Sequence, residues 1–202
     1  EIYRCDWSSD VCSSDLHASR IKEHTATHLA DYLEQFSNSL ERNGVIVHFA
    51  KDAQEFNEMV YGILESHKVK KLVKSKSMLT EECEMNPYLI KRGINVVESD
   101  LGERILQLMH LKPAHIVMPA IHLTRDEIGE MFEEKGISKE KGNHDPAYLT
   151  RCAREDLRGD FMDADAGLTG CNFGVAATGD CVVCTNEGNA DMSTSVDRKS
   201  VV

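Results

Sequence analysis

This sequence predicts an α/β fold, Rossmann-like, with a mainly parallel sheet covered by helices on both faces. Three observations carry that prediction. Short β-branched apolar runs alternate with amphipathic stretches of helical length. Most of those stretches open on a capping signal. The composition, 41% apolar and 28% charged over 202 residues, suits a chain that buries one core. Parallel neighbours need crossover connections, and helices between strands supply them.

The elements follow in order. From Ala18 to Asn43 the residues Leu29, Leu33, Phe36 and Leu40 recur on one helical stripe, predicting an N-terminal helix within 17–43. Gly44 ends it, and Val45-Ile46-Val47-His48-Phe49 is too short and too β-branched for a helix, so it is expected as a buried strand. Asp52 and Glu55 announce a helix carrying Phe56, Met59, Val60, Ile63 and Leu64. Val69–Val73 is the next strand, Thr80–Lys91 a helix, and Ile94–Val97 a strand. Asp100 and Glu103 cap a helix with Leu101, Ile105, Leu108 and Met109, and His115–Met118 is expected as a further strand. Thr124 and Glu127 cap a helix through Ile128 and Phe132, and Pro146–Arg158 is another. Beyond Asp163 the glycine-punctuated strands Cys171–Ala177 and Cys181–Thr185, joined at Thr178-Gly179-Asp180, predict a C-terminal β-hairpin.

The ends differ from this pattern. Residues 1–16 contain a short duplication, Ser8-Ser9-Asp10 and Ser13-Ser14-Asp15, and carry no helical or strand period. The stretch CDWSSDVCSSDL resembles translated sequencing-adapter sequence, and the tail DRKSVV resembles read-through from the other end. A natural disordered leader and polar tail are the alternative. The expected map is therefore 1–16 disordered, 17–43 the N-terminal helix, 44–195 a partial α/β domain, and 196–202 a tail without function.

Composition excludes some functions. The formal charge of -11, from 34 acidic against 23 basic residues, argues against a nucleic-acid binder, which needs a basic face. No run of eighteen apolar residues and no basic-then-apolar leader occurs, so a cytoplasmic address without an integral membrane segment is the simplest expectation. The seven scattered cysteines are expected as reduced thiols.

In an open parallel sheet, ligands gather where strands end and helices begin. One strand exits into Lys74-Ser75-Lys76-Ser77, a candidate site for a phosphate or carboxylate in which Ser77 is placed to cap the next helix. An ordinary capped loop with solvated lysines is the plainer alternative. The next strand exits into Glu98-Ser99-Asp100-Leu101-Gly102-Glu103, and the one after into Pro119-Ala120-Ile121-His122. His122 is a candidate general base, with a surface histidine as the alternative. Glycine and amide side chains flank the hairpin at Gly167–Asn172 and at Asn186-Glu187-Gly188-Asn189. Glu187 is a candidate nucleophile if its pocket is dry, and otherwise a polar turn residue. In Cys181-Val182-Val183-Cys184 the thiols point to opposite faces of a strand, so buried strand cysteines explain them better than one shared metal. No C-x-x-C-x-x-C-x-x-x-C-P run for an iron-sulfur cluster occurs.

Taken together, LVKSKSMLTEE, INVVESDLGERILQL, HIVMPAIHLTRDEI and ADAGLTGCNFGVAATGDCVVCTNEGNADMST resemble the lactate-utilisation protein B family over roughly residues 24 to 195, the part of that family called the LUD domain. The resemblance implies a fold similar to the ribose-5-phosphate isomerase and CoA-transferase superfamily. It implies an N-terminal fragment of a protein that helps oxidise L-lactate to pyruvate beside two partner subunits. Electrons would pass through two 4Fe-4S clusters held by a C-terminal region that this sequence does not include. The family's motif positions fall on Lys74, Ser75, Lys76, Ser77, Asp100, Gly102, Glu103, His122, Thr169, Gly170, Asn172, Asn186, Glu187, Gly188 and Asn189. The leading reading of these residues is a domain that binds a small carboxylate or a partner, with Lys74 and Lys76 as anion contacts and no metal in this fragment. By fold-level analogy with CoA transferases, Glu187 would be the attacking acid. Two alternatives stay open: an enzyme of CoA-transferase or sugar-phosphate-isomerase type, and a noncatalytic docking module. Departures gather near the tail, where Asp191 stands in place of an expected basic residue and the resemblance breaks off after Ser195, so the domain is expected to lack its last strands.

Overall fold

The computed structural model describes residues 10–115, 117–185, 187–195 and 200–201. The chain divides into two compact units, one of residues 1–47 with 173–182, the other of 48–172 with 183–202.

The first unit holds helix α1 (Asp10–Thr27) and helix α2 (Leu29–Arg42), where the sequence predicts one helix and an unstructured leader. The break falls at His28, whose ring Nδ1 donates to the His24 carbonyl, 2.9 Å away. Helix α2 closes with the Val45 N–H on the Leu40 carbonyl and the Gly44 N–H on the Glu41 carbonyl, Gly44 adopting φ +83°. That closure draws the start of the expected strand 45–49 into a helix cap. The segment forms no ladder, and Ile46 is 79% exposed. The expected hairpin forms with shorter strands, Phe173–Val175 paired antiparallel with Asp180–Val182, and Asp180, expected in the turn, is paired with Val175. Gly179 packs on α2 so closely that a Cβ would lie 2.8 Å from the Leu40 nitrogen.

The second unit is the Rossmann-like sheet. Helix α3 (Ala53–Ser66) starts where Asp52 accepts the Glu55 N–H. Strand β1 (Lys71–Lys74) follows, then two short helices, α4 (Met78–Glu82) and α5 (Met85–Ile90), in place of one predicted helix. Pro87 is the reason: it has no N–H for the Cys83 carbonyl, which instead accepts the Asn57 amide at 2.7 Å. Strand β2 (Asn95–Glu98) and helix α6 (Leu101–Met109) come next, Asp100 accepting the Glu103 N–H. Helix α7 (Arg125–Glu134) opens with the full Thr124–Glu127 capping box, and helix α8 (Pro146–Met162) with Asp145. Strand β3 (Ala166–Leu168), the hairpin strands β4 (Phe173–Val175) and β5 (Asp180–Val182), helix α9 (Asn189–Ser195) and strand β6 (Ser200–Val201) complete the order.

The sheet runs β2-β1-β3-β6, and each of its pairs is parallel. One face sets Leu72, Val96, Ala166 and Leu168 against Val60 and Leu64 of α3 and Met85 and Leu89 of α5. The other sets Val73 and Val97 against Leu157 and Phe161 of α8, so helices cover both faces. Helices α6, α7 and α8 enclose a satellite core around Ile105, Phe132 and Leu149. The edge of β2 is blunted by Gln107, which donates to the Val96 carbonyl and accepts the Glu98 N–H.

Two strand expectations are corrected. Residues 115–118 form no strand among those described; the Val117 and Met118 N–H groups turn onto His115 Nδ1 at 3.2 and 3.1 Å, a local bond that replaces a ladder. Strand β3 was not expected, and Ser200–Val201 of the supposed tail pairs with it. Among the described residues no helix is long and apolar enough to cross a membrane.

Candidate functional site

A cleft of about 710 Å³ opens at the carboxyl ends of β1 and β3. Strand β1 delivers Ser75, Lys76 and Ser77 to it, and β3 delivers Thr169, Gly170 and Asn172. Asp100 enters from the start of α6, and Glu187 and Asn189 from the chain leading into α9. Phe56 and Val60 of α3, with Met78 and Leu79 of α4, form an apolar wall. The strand-exit rule located this site, because successive parallel strands turn their last polar residues toward one edge.

Local bonds fix the polar rim. The Ser75 hydroxyl donates to Thr169 Oγ1 at 2.7 Å, and the Ser75 N–H donates to the Leu168 carbonyl, which ties the ends of β1 and β3 together. Lys76 Nζ donates one proton to the Val117 carbonyl at 2.9 Å and has two more to offer. Asn172 Oδ1 accepts the Cys184 N–H at 2.8 Å. Gly188 adopts φ +76° with its N–H on Thr185 Oγ1, a reversal that a residue with a Cβ resists and that brings both Glu187 and Asn189 to the cleft. Burial raises the Glu187 carboxyl above its ordinary range, the Asp100 charge adds to that, and the Lys76 charge opposes it.

Other predicted site residues lie elsewhere. Lys74 is not an anion contact: it is fully buried, its Nζ 2.9 Å from Glu98 Oε1. Lys74 is still inside the ladder, in register with Glu98 on β2, whereas Lys76 lies two residues past the ladder's end. Glu98 also accepts the Asn86 amide. Glu103 is buried beside Glu81, and burial, the Glu81 hydrogen bond and the Glu81 and Glu98 charges push its carboxyl up to about 8. Gly102 serves packing, since a Cβ there would lie 2.9 Å from Pro119 Cγ. Gly170 has no such constraint, its nearest neighbour being 3.7 Å away. Ser77 stands at the start of α4 without capping it through its side chain. His122 is exposed and does not line the cleft, because the strand expected to lead to it does not form. Asn186 lies outside the described residues. Cys181 and Cys184, expected to be buried, are exposed. Sequence reasoning missed Cys171, Cys184 and Thr185 as lining residues, and missed Glu81 and Asn86 beside the Lys74–Glu98 pair. The one signal for that pair was the shared position of Lys74 and Glu98 at the ends of consecutive apolar strands.

Comparison with known proteins adds to this geometry. A family model described as the LUD domain matches residues 33–202. A protein named "Lactate utilization protein B" from Bacillus pumilus (strain SAFR-032) is 47% identical over 182 residues, which are 90% of this chain and 38% of that protein. Proteins of the same name from Oceanobacillus iheyensis and Geobacillus thermodenitrificans (strain NG80-2) are 48% and 45% identical, over 88% and 91% of this chain and 37% and 38% of theirs. The chain therefore spans less than two fifths of the length of these curated relatives. No solved structure matches it significantly.

Proposed function

Because the chain belongs to the LUD domain family, we propose that it forms the ligand-binding α/β part of a longer protein of L-lactate oxidation, with the cleft taking a small carboxylate. The observation that carries this is the Lys76 ammonium at the rim of the cleft, among the hydroxyls of Ser75, Ser77 and Thr169 and the amide of Asn172. An ammonium with two free protons neutralises a carboxylate, and the neighbouring hydroxyls and amide orient it. The relatives' name, lactate utilization protein B, supports lactate as the substrate class.

In this reading the longer protein works with two other lactate-utilisation subunits in the cytoplasm and passes electrons through 4Fe-4S clusters. The residues present here do not fit a cluster. The sequence has no ligand run of the ferredoxin kind, and among the described residues no group of three or more His, Cys, Asp or Glu side chains gathers as a metal site. In this reading the clusters are held outside the stretch described here.

Calorimetric titration of the longer protein with lactate and with pyruvate tests the proposal. Saturable binding of either, lost in Lys76→Ala, supports it; no binding of either overturns it.

One observation favours a second reading. Glu187 lines the same cleft with a raised carboxyl, as an attacking acid or a base of a CoA-transferase or isomerase type of enzyme would. Hydroxylamine trapping of an acyl group on Glu187 after exposure to an acyl thioester separates this from simple binding. If neither binding nor trapping occurs, the docking-module alternative gains, and pull-down with the two partner subunits tests it.

A further inference from the structure

The cleft is larger than its polar rim alone requires, and its walls are of two kinds. Every residue that lines it belongs to one compact unit. Its volume of about 710 Å³ falls in the range of roughly 300–1,000 Å³ that encloses drug-sized molecules, and a lactate ion is far smaller. Lys76, Ser75, Ser77 and Thr169 supply the polar part. The apolar part continues the core. Val60 and Leu168 belong to the layer packed between α3 and the sheet, Phe56 packs against that layer, and all three also line the cleft. Phe56 and Val60 stand four apart on α3 and so share one face. Leu79 of α4 lines the same cleft with 56% of its surface exposed. The core layer is thus open to the cleft at the carboxyl end of the sheet.

The charges at the rim restrict a ligand further. Asp100 and Glu187 line the cleft together with Lys76. They are near enough to act on one another: the Glu187 carboxyl is raised by burial and then by the Asp100 charge, while the Lys76 charge opposes both. Lys76 answers one carboxylate, and a second anionic group on the same ligand would meet like charge.

We propose that the cleft takes a monocarboxylate with an unbranched apolar arm of several carbons, the carboxylate on Lys76 and the arm against Phe56, Val60 and Leu79. This deepens the small-carboxylate reading and rests on it for the Lys76 contact. Each methylene laid on the apolar wall leaves water, which favours the longer arm. A dicarboxylate of equal length keeps the Lys76 contact but carries its second charge into the acids, so it binds less tightly.

The test is calorimetric titration of the longer protein with straight-chain 2-hydroxy acids from lactate to 2-hydroxyoctanoate. The Kd is expected to fall about two- to fourfold per added methylene, the worth of a partly to fully buried CH2. Malate is expected to bind less tightly than 2-hydroxybutyrate. Leu79→Gln is expected to cut the gain from 2-hydroxybutyrate to 2-hydroxyoctanoate roughly fivefold, the effect of one half-exposed leucine. Ile90→Gln, at an exposed apolar residue of α5 outside the cleft, is expected to leave that gain unchanged. A flat series, a gain that Leu79→Gln does not reduce, malate binding as tightly as 2-hydroxybutyrate, or long-chain binding that Lys76→Ala leaves unchanged each overturns the proposal. The two readings fail separately. Lactate binding with a flat series removes the arm and leaves the small-carboxylate site. A rising series with lactate too weak to detect supports the arm and removes lactate as the ligand. No binding at any length removes both.

Discussion

Lys74 Nζ lies 2.9 Å from Glu98 Oε1, where the two side chains close the carboxyl ends of the adjacent parallel strands β1 and β2 with almost no contact with solvent. Glu98 shares this pocket with Asn86, while Glu81 and Glu103 add two further carboxyl groups to the same neighbourhood. A buried pair of this kind is costly to break and much less costly to replace, because removing one partner strands the other charge away from water.

Lys74→Ala and Glu98→Ala are each expected to lower unfolding stability by about 3–5 kcal/mol. The double change Lys74→Met with Glu98→Leu is expected to recover most of that loss. Urea unfolding monitored by circular dichroism measures all three, and equal losses in the single and double variants would contradict the pairing.

The buried Glu103 carboxyl, raised by burial and by the neighbouring Glu81, is expected to make stability fall as pH rises. The folded Glu103 carboxyl is pushed up to about 8 from its ordinary 4.5, so the folded state holds a proton that the unfolded state has lost between those values. Stability from this source is present at pH 4 and is lost progressively up to about pH 8. Glu103→Gln is expected to flatten that part of the profile, with a gain on the order of 2 kcal/mol at the alkaline end. Thermal unfolding across pH reads the difference.

His144 is held between two carboxylates, its Nδ1 3.0 Å from Asp126 and its Nε2 3.4 Å from Glu133, and its pKa is raised, first by the Asp126 hydrogen bond. A histidine with a raised folded pKa contributes stability that is complete below about 6.5 and is lost as pH rises through the folded value. The ring rests on Gly129, where a Cβ would fall 2.2 Å from His144 Cδ2. Gly129→Ala is therefore expected to displace the ring and return its pKa toward the ordinary imidazole value. NMR titration of the imidazole checks this, and an unchanged titration would show that the ring is not held there.

Lys76→Ala is expected to weaken carboxylate binding roughly 10- to 100-fold, the worth of one charge-assisted hydrogen bond, with little effect on stability. Glu187→Gln is expected to tighten binding, since it removes a negative charge that faces Lys76. Calorimetry on the longer protein measures both, and a tighter Lys76→Ala variant would reverse the electrostatic assignment.

Much of the fold is legible in the residues themselves. Asp52, Asp100 and Thr124 each accept the N–H three positions on, and the helices that they predict begin there. Leu72, Val73, Val96 and Val97 form the paired strands whose apolar runs foretold them. The elements that escaped depend on partners distant in sequence. Ala166-Gly167-Leu168 has no strand propensity of its own, and it is a strand because β1 stands ready to pair with it. Val45–Phe49 has that propensity and forms no ladder among the described residues, while Pro87 and Asn57 divide a helix that periodicity alone would continue.

The sequence by itself determined which segments alternate, where the capped helices start, and that hydroxyls, amides and two lysines stand at a strand exit, because these are properties of near neighbours along the chain. Only the tertiary structure distinguished two lysines two positions apart: Lys74 is sealed against Glu98 and Lys76 is open to the cleft. Register and burial across strands set that difference, and they arise only when β1, β2 and β3 lie side by side.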